Sequence, residues 1–251
     1  MKMGIYRHFA QVYDMFMADV PYKQWAGYVD AAFRDYNVPT DGLVLDLACG
    51  TGTMAFLMAQ KGYELIGVDA SEDMLSEAQS KIHEKMPTKG ILFLNQDMRE
   101  LELYGTVDAA YCVCDSLNYI LKEEELELVF RNVSLYLNPD GIFLFDMKTV
   151  SKYQQMGNNT YHDIMDESSY LWKNLYDTET SLNEYHVQFF VKGEETFSET
   201  HYQRGYSIEA VTEIVERSGL KILAVYDNYT NNPAGPDNER YTFICRNTAP
   251  M

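Results

Sequence analysis

Short apolar runs and amphipathic runs alternate from Leu43 to Met147, and few folds accept that rhythm. "LVLDLA" (43–48), "ELIGVD" (64–69), "ILFLNQD" (91–97), "VDAAYCVCD" (107–115) and "IFLFDM" (142–147) read as buried strands. Between them, Thr53 to Lys61, Ser71 to about Lys85, and residues 123–137 read as helices. Ser71 stands where a cap belongs, with Glu72 and Asp73 in the first turn to offset the helix dipole. "NPDG" (138–141) reads as a turn. Strands that alternate with helices pair in parallel, because a crossover must return the chain to the same end of the sheet. The expected fold is α/β, a doubly wound Rossmann-like sheet.

The flanks follow other patterns. Residues 7–19 and 22–36 read as two helices split by Pro21. From about Asn159 to Tyr206, Tyr, Phe, Trp and Val alternate with polar residues, and "DTETS" (177–181) and "KGEE" (192–195) look like hairpin turns. That is the pattern of a small antiparallel β lobe, inserted in the α/β domain. Residues 207–219 return to a helix ended by Gly219, and two strands, 220–229 and 239–247, close the chain around a turn-rich link. The expected units are an N-terminal helical segment (1–40), a main domain (41–150 and 207–251) and the inserted lobe (151–206).

Composition narrows the partners. The net charge is −18, from 20 basic and 38 acidic residues, with no basic run. Such a chain repels nucleic-acid phosphates and anionic membranes, so neither is expected as a partner. No apolar segment approaches the roughly 20 residues of a membrane span, and the N-terminus lacks the apolar core of a signal peptide. The four cysteines form no C-x-x-C pair, and Cys112 and Cys114 share a strand face as small buried side chains. A reducing cytoplasm and no metal site are the expectations.

The stretch "LVLDLACGTGTMAFL" (43–57) carries the chemistry. Gly50, Gly52 and Ala55 match the spacing G-x-G-x-x-G/A after a strand, and Asp69 ends the next strand. That context suits a dinucleotide, so the loop alone indicates only a nucleotide-type ligand. Asp46, inside the apolar run, tips the balance. A carboxylate near the turn repels a pyrophosphate and suits an ammonium group and a positive centre. S-adenosylmethionine has both, and Asp69 can accept hydrogen bonds from its ribose diol.

"VLDLACGTG" resembles the first motif of class I S-adenosylmethionine-dependent methyltransferases, and "GVDAS" their second. "NQDMREL" (95–101) is similar to the segment beside the adenine, and "DAAYCVCDSLNYI" (108–120) to the fourth-strand segment that ends at the transferred methyl. The N-terminal "YRHFAQVYDMFM" and the lobe resemble a bacterial small-molecule subgroup that includes the N,N-dimethyltransferases of nucleotide-linked deoxysugars. The resemblance implies that Asp46, Ala48, Gly50 and Gly52 cradle the methionine part. It implies that Asp69 holds the ribose, that Met74 packs on the adenine, and that Asp97 and Met98 flank it. Cys114 falls near the sulfur, and Tyr13, with Tyr6 second, closes a helical lid over the cofactor.

Methyl transfer needs distance, angle and exclusion of water more than a strong base. A hydroxyl acceptor would make a base more useful. Asp115 and Tyr119, at the end of the fourth strand, are the candidate catalytic groups, with His201 on the lobe a further candidate base that reads more readily as a surface strand position. In the lobe, Tyr170, Trp172, Tyr185, Phe189, Phe197 and Tyr202 form an aromatic set that roofs a pocket, makes a homodimer interface or covers the main domain. The expected function is N- or O-methylation of a small molecule. The alternatives are an NAD(P)-dependent oxidoreductase, a non-catalytic cofactor-binding protein with a protein partner, and a nucleic-acid methyltransferase, which the charge opposes.

Overall fold

The computed structural model describes residues 9–85, 87, 89–164, 168–192 and 196–248. Two helices, α1 (Phe9–Phe16) and α2 (Tyr22–Asp35), come first. Then follow β1 (Leu43–Leu47), α3 (Thr53–Gln60), β2 (Glu64–Asp69), α4 (Glu72–Lys85), β3 (Ile91–Asn95), β4 (Val107–Cys112), α5 (Glu123–Tyr136) and β5 (Leu137–Lys148). After β5 come α6 (Val150–Met156), β6 (Thr160–Ile164), β7 (Ser168–Asp177), β8 (Leu182–Val191), β9 (Phe197–Arg204), α7 (Ile208–Arg217), β10 (Leu220–Asp227) and β11 (Arg240–Asn247).

The main sheet has seven strands in the order β10-β11-β5-β4-β1-β2-β3. Strands β1 to β5 pair in parallel, as the alternation predicts, while β11 lies antiparallel between β5 and β10. Period-two alternation divides the core into two layers. Leu45, Leu47, Ala110, Phe143, Phe145 and Phe243 face one way and pack with α5 and α7. Val44, Leu65, Ala109, Tyr111 and Leu144 face the other and pack with α2, α3 and α4. Asp46 shares the Val44 side by the same alternation.

The remaining strands form a separate antiparallel sheet, β6-β7-β8-β9. Its entrance and exit are neighbours, because Thr149 and Tyr206 form an isolated bridge at its base. Asn174 and Asn183, both fully buried at diagonal positions of β7 and β8, exchange side-chain hydrogen bonds of 2.9 and 2.8 Å. A paired amide satisfies its own polarity, so the sheet can bury both.

Several local expectations change. "NPDG" lies within β5, as an irregularity in its pairing to β4 with Asp140 at φ 62°. Strand β4 stops at Cys112, which joins the α5/α7 layer, while Cys114 has φ 64° and packs against the opposite layer. The two thiols therefore do not share a face. Helix α6 was not anticipated; Thr149 caps it by accepting from the Lys152 amide. The hairpin read at 192–195 lies largely outside the described residues, as does Tyr6.

Candidate active site

Strand order reverses between β1 and β4, and in doubly wound sheets ligands bind where the carboxyl ends of such strands part. A cavity of about 560 Å³ lies there. The turns after β1 and β4, the ends of β2 and β3, helix α1 and the inserted sheet all line it.

The turn after β1 bends through left-handed backbone at Ala48 (φ 61°), Gly50 (54°) and Gly52 (78°). Asp69 fixes it to the end of β2. Its Oδ2 accepts from the Gly50 amide and its Oδ1 from the Ser71 amide, each at 2.8 Å. A Cβ at Gly50 would meet nothing within 4 Å, so this backbone lies open to the cavity it lines. Gly52 differs. It is not part of the cavity wall, and a Cβ there would lie 2.9 Å from the Phe93 ring and 3.3 Å from Ala78. Its small size fits the packing of α3 and α4 on the sheet.

Asp46 is buried at the cavity wall. Burial pushes its carboxyl up to about 7; the nearby Tyr111 hydroxyl works against this, and the charge of Asp69 adds to it. Neither Asp46 Oδ2 nor the Tyr111 hydroxyl completes a hydrogen bond with a described residue. Asp69 is raised too, by burial against the two amides. Asp97 lines the cavity but is engaged by Arg99, which holds it below the usual carboxylate range. Met74, on α4, is buried and Met98 half-buried, and both line the cavity.

Beyond the turn after β4 the wall changes character. Cys114 and Asp115 are consecutive non-glycine residues with positive φ, 64° and 52°. Such a pair persists only where its surroundings fix it. Here the Asp115 amide donates to both Asp146 carboxylate oxygens, at 3.3 and 3.2 Å. The Asp115 side chain pairs with Lys148 at 3.0 Å and Arg240 at 2.7 Å, and Arg240 also pairs with Asp146. Burial works against the Asp115 charge, but Lys148 and Arg240 outweigh it and bring the carboxyl to about 2. A carboxylate so held accepts a proton poorly.

The inserted sheet covers this half with Trp172, Tyr185, Val187, Phe189, His201 and Gln203. His201 is buried, not at the surface, because its strand face turns inward; burial lowers its pKa to about 4 and keeps the imidazole neutral. The Tyr119 hydroxyl lies 3.4 Å from His201 Nδ1. Helix α1 closes one side, with the Tyr13 hydroxyl 3.5 Å from that of Tyr22. Asp14, next in line, accepts from the Thr51 hydroxyl at 2.6 Å and pairs with Lys81 of α4.

The methyltransferase domain family profile matches residues 44–141. The Bacillus subtilis methyltransferase-family protein YqeM is 37% identical over 244 residues, covering 95% of this chain and 96% of YqeM. The chain belongs to the S-adenosylmethionine-dependent methyltransferases. The crystal structure of an S-adenosylmethionine-dependent methyltransferase from Clostridium acetobutylicum superposes on this methyltransferase with a TM-score of 0.87 at 31% identity, covering 98% of this chain and all of that one. CalS10, an amino pentose methyltransferase from Micromonospora echinaspora solved with its cofactor bound, shares the fold at TM-score 0.73 and 16% identity, over 99% and 98% of the two chains.

The cofactor is S-adenosylmethionine, and the residues of this methyltransferase fit it. A buried carboxylate oxygen without a partner matches a cationic ligand, and the open backbone at Gly50 leaves room for one. Of the residues expected around the cofactor, Tyr13, Asp46, Ala48, Gly50, Asp69, Met74, Asp97, Met98 and Cys114 meet at one cavity, and Gly52 alone stands behind it. Asp115 and Tyr119 line the same cavity. The sequence reading missed Lys148, Gln203 and the Asp14 latch. The position of Lys148 at the carboxyl end of β5 was a usable signal; Gln203 shares its strand face with His201, which was read as exposed, so nothing local marked it.

Among the described residues, no group of three or more His, Cys, Asp or Glu side chains could hold a metal ion, and no helix is long and apolar enough to cross a membrane.

Proposed function

We propose that this methyltransferase transfers the methyl group to nitrogen or oxygen of a small molecule held beneath the inserted sheet. The observation that carries the reading is the two-part cavity: a carboxylate-lined half at β1–β3 and an aromatic half under β7–β9. In the first half Asp46, with the backbone of Ala48 and Gly50, would hold the amino-acid end of the cofactor. Asp69 would take the ribose, and Met74, Asp97 and Met98 would surround the adenine. Cys114, whose thiol burial keeps protonated, would stand beside the sulfur as a contact, not a nucleophile. Tyr13 would close the lid.

The bound cofactor supplies an activated methyl group. The chain's part is to aim the acceptor and exclude water, and orientation of this kind can contribute about 7–11 kcal/mol. The Lys148–Asp115–Arg240 cluster uses its charges internally, so Asp115 serves better as an anchor than as a base. His201, facing Tyr119, is kept neutral by burial, so it serves an acceptor as a hydrogen-bond partner and not as a strong base. The amino-sugar methylation ascribed to CalS10 is consistent with a ring-bearing acceptor under an aromatic roof.

Calorimetric titration with S-adenosylhomocysteine tests the cofactor half. Binding is expected, and Asp69→Asn should weaken it roughly tenfold or more, since hydrogen bonds to a charged group are worth about 1.5–3 kcal/mol each. Unchanged affinity would remove Asp69 from the ribose role. Incubation with labelled S-adenosylmethionine and a panel of amines and phenols tests the acceptor half. Transfer only to protein or nucleic acid would overturn the small-molecule reading.

A further inference from the structure

The two halves of the cavity are joined by a chain of buried hydrogen bonds that passes through Gln203. This residue, 1% exposed on β9, has both ends of its amide in use. Its Oε1 accepts from the Tyr185 hydroxyl at 2.7 Å and from the Tyr153 hydroxyl at 2.9 Å, and its Nε2 donates to Asp115 Oδ2 at 2.9 Å. Two hydroxyl donors on one side and a carboxylate on the other leave the amide a single orientation. Asp115 is itself fixed by Lys148, Arg240 and the hydrogen bond that its backbone amide donates to Asp146. On the other side, Tyr185 packs edge-on against Trp172, ring centroids 4.9 Å apart, and both line the roof.

We propose that Gln203 is a positioning residue for methyl transfer: it fastens the aromatic roof of the acceptor half, through Tyr185, to the left-handed Cys114–Asp115 turn. The inference rests on the assignment of that turn to the methyl-donor side of the cavity. The geometry behind it stands apart from that assignment. An apolar side chain at 203 would leave the Asp115 carboxylate short of one donor and two tyrosine hydroxyls short of their acceptor, all within the protein interior. The roof would then lose its fixed height above the turn, while the contacts of Asp46, Gly50 and Asp69 would be untouched. Lys148 makes a second tie, since it pairs with Asp115 and sets its ammonium 5.6 Å from the Tyr185 ring centroid; the other nearby contacts do not reach the roof. Asn118 joins the backbone of Lys148 to that of Arg204, and Arg204 donates to the Leu121 carbonyl, but neither touches a roof side chain.

Trp172 reports on the roof. The chain has two tryptophans, so Trp172→Phe supplies the Trp25 background to subtract. Gln203→Leu is expected to strip Trp172 of its protection from acrylamide quenching while S-adenosylhomocysteine affinity stays at the native level. Quenching equal to native, with only a lower melting temperature, would overturn the proposal. Should Gln203→Leu fail to fold, Tyr185→Phe keeps the ring and removes one hydroxyl; raised quenching supports the fastening, and native quenching overturns it. Loss of cofactor-product binding in the native protein would instead strike the functional assignment and leave the fastening to be judged by quenching alone.

Discussion

Two glycines two residues apart do different work. Gly50 has open space where its Cβ would be and belongs to the cavity wall, whereas Gly52 is closed in by Phe93, Phe56 and Ala78. Both have positive φ, so an alanine at either is strained by roughly 1–2 kcal/mol. The consequences should nevertheless separate. Gly52→Ala also displaces Phe93, so it should lower the melting temperature the more while leaving S-adenosylhomocysteine affinity close to native in the folded fraction. Gly50→Ala should weaken that affinity with the smaller thermal penalty. Calorimetry and thermal unfolding of the two variants check this, and a reversed order would mean that the turn is read wrongly. Spacing placed both glycines in one motif; it could not show which of them faces the ligand, because that depends on Phe93, a residue 41 positions further along the chain.

At the scale of elements, α1 is fastened to two others through one side chain. Asp14 accepts from Thr51 in the turn after β1 and pairs with Lys81, which also donates to the Thr51 carbonyl at 3.1 Å. An eight-residue helix is too short to be stable alone in water, so its position depends on such contacts. Asp14→Ala should therefore speed proteolytic cleavage near α1 in the absence of cofactor, and S-adenosylhomocysteine should restore part of the protection. Equal cleavage of native and variant proteins would show that packing alone holds the helix.

The main sheet was readable from its alternation because buried strands and crossover helices leave strong periodic signals. The lobe was readable as extended from its aromatic alternation. Other features escaped. Helix α6 is seven residues long, too short for periodicity to register. The end of β4 was set too late because "VCD" continues the apolar pattern while the backbone has already turned left-handed. His201 was placed at the surface because a strand pattern does not tell which face meets another layer. In the same way, the ion pairs of Asp115 join residues from β5 and β11, and no local pattern reports a contact between Asp115 and Arg240.

At the scale of the whole molecule, two buried groups pull the pH dependence of stability in opposite directions. The Asp46 carboxyl rises from 3.8 to about 7 on folding, so the folded state holds that proton more tightly and loses stability as pH climbs from about 4 to 7. The His201 imidazole falls from 6.5 to about 4, so the folded state refuses a proton the unfolded chain accepts and loses stability as pH drops through the same window. Each effect at full extent is on the order of 3–4 kcal/mol. Urea unfolding from pH 4 to 8 should show Asp46→Asn gaining on the native protein toward the alkaline end and His201→Phe gaining toward the acid end. Parallel curves for all three proteins would contradict both assignments.

The bridge between Thr149 and Tyr206 bears on how such a protein changes over time. An insertion whose first and last residues touch can lengthen, shorten or be exchanged without shifting any strand of the sheet that carries it. Descendants of one ancestral chain could thus acquire new acceptors by altering 150–205 while inheriting the cofactor half intact. Gln203 sets a condition on that freedom: an exchanged lobe must bring an amide, or some equal donor, to Asp115, or it arrives as a loose cover over an otherwise working cleft.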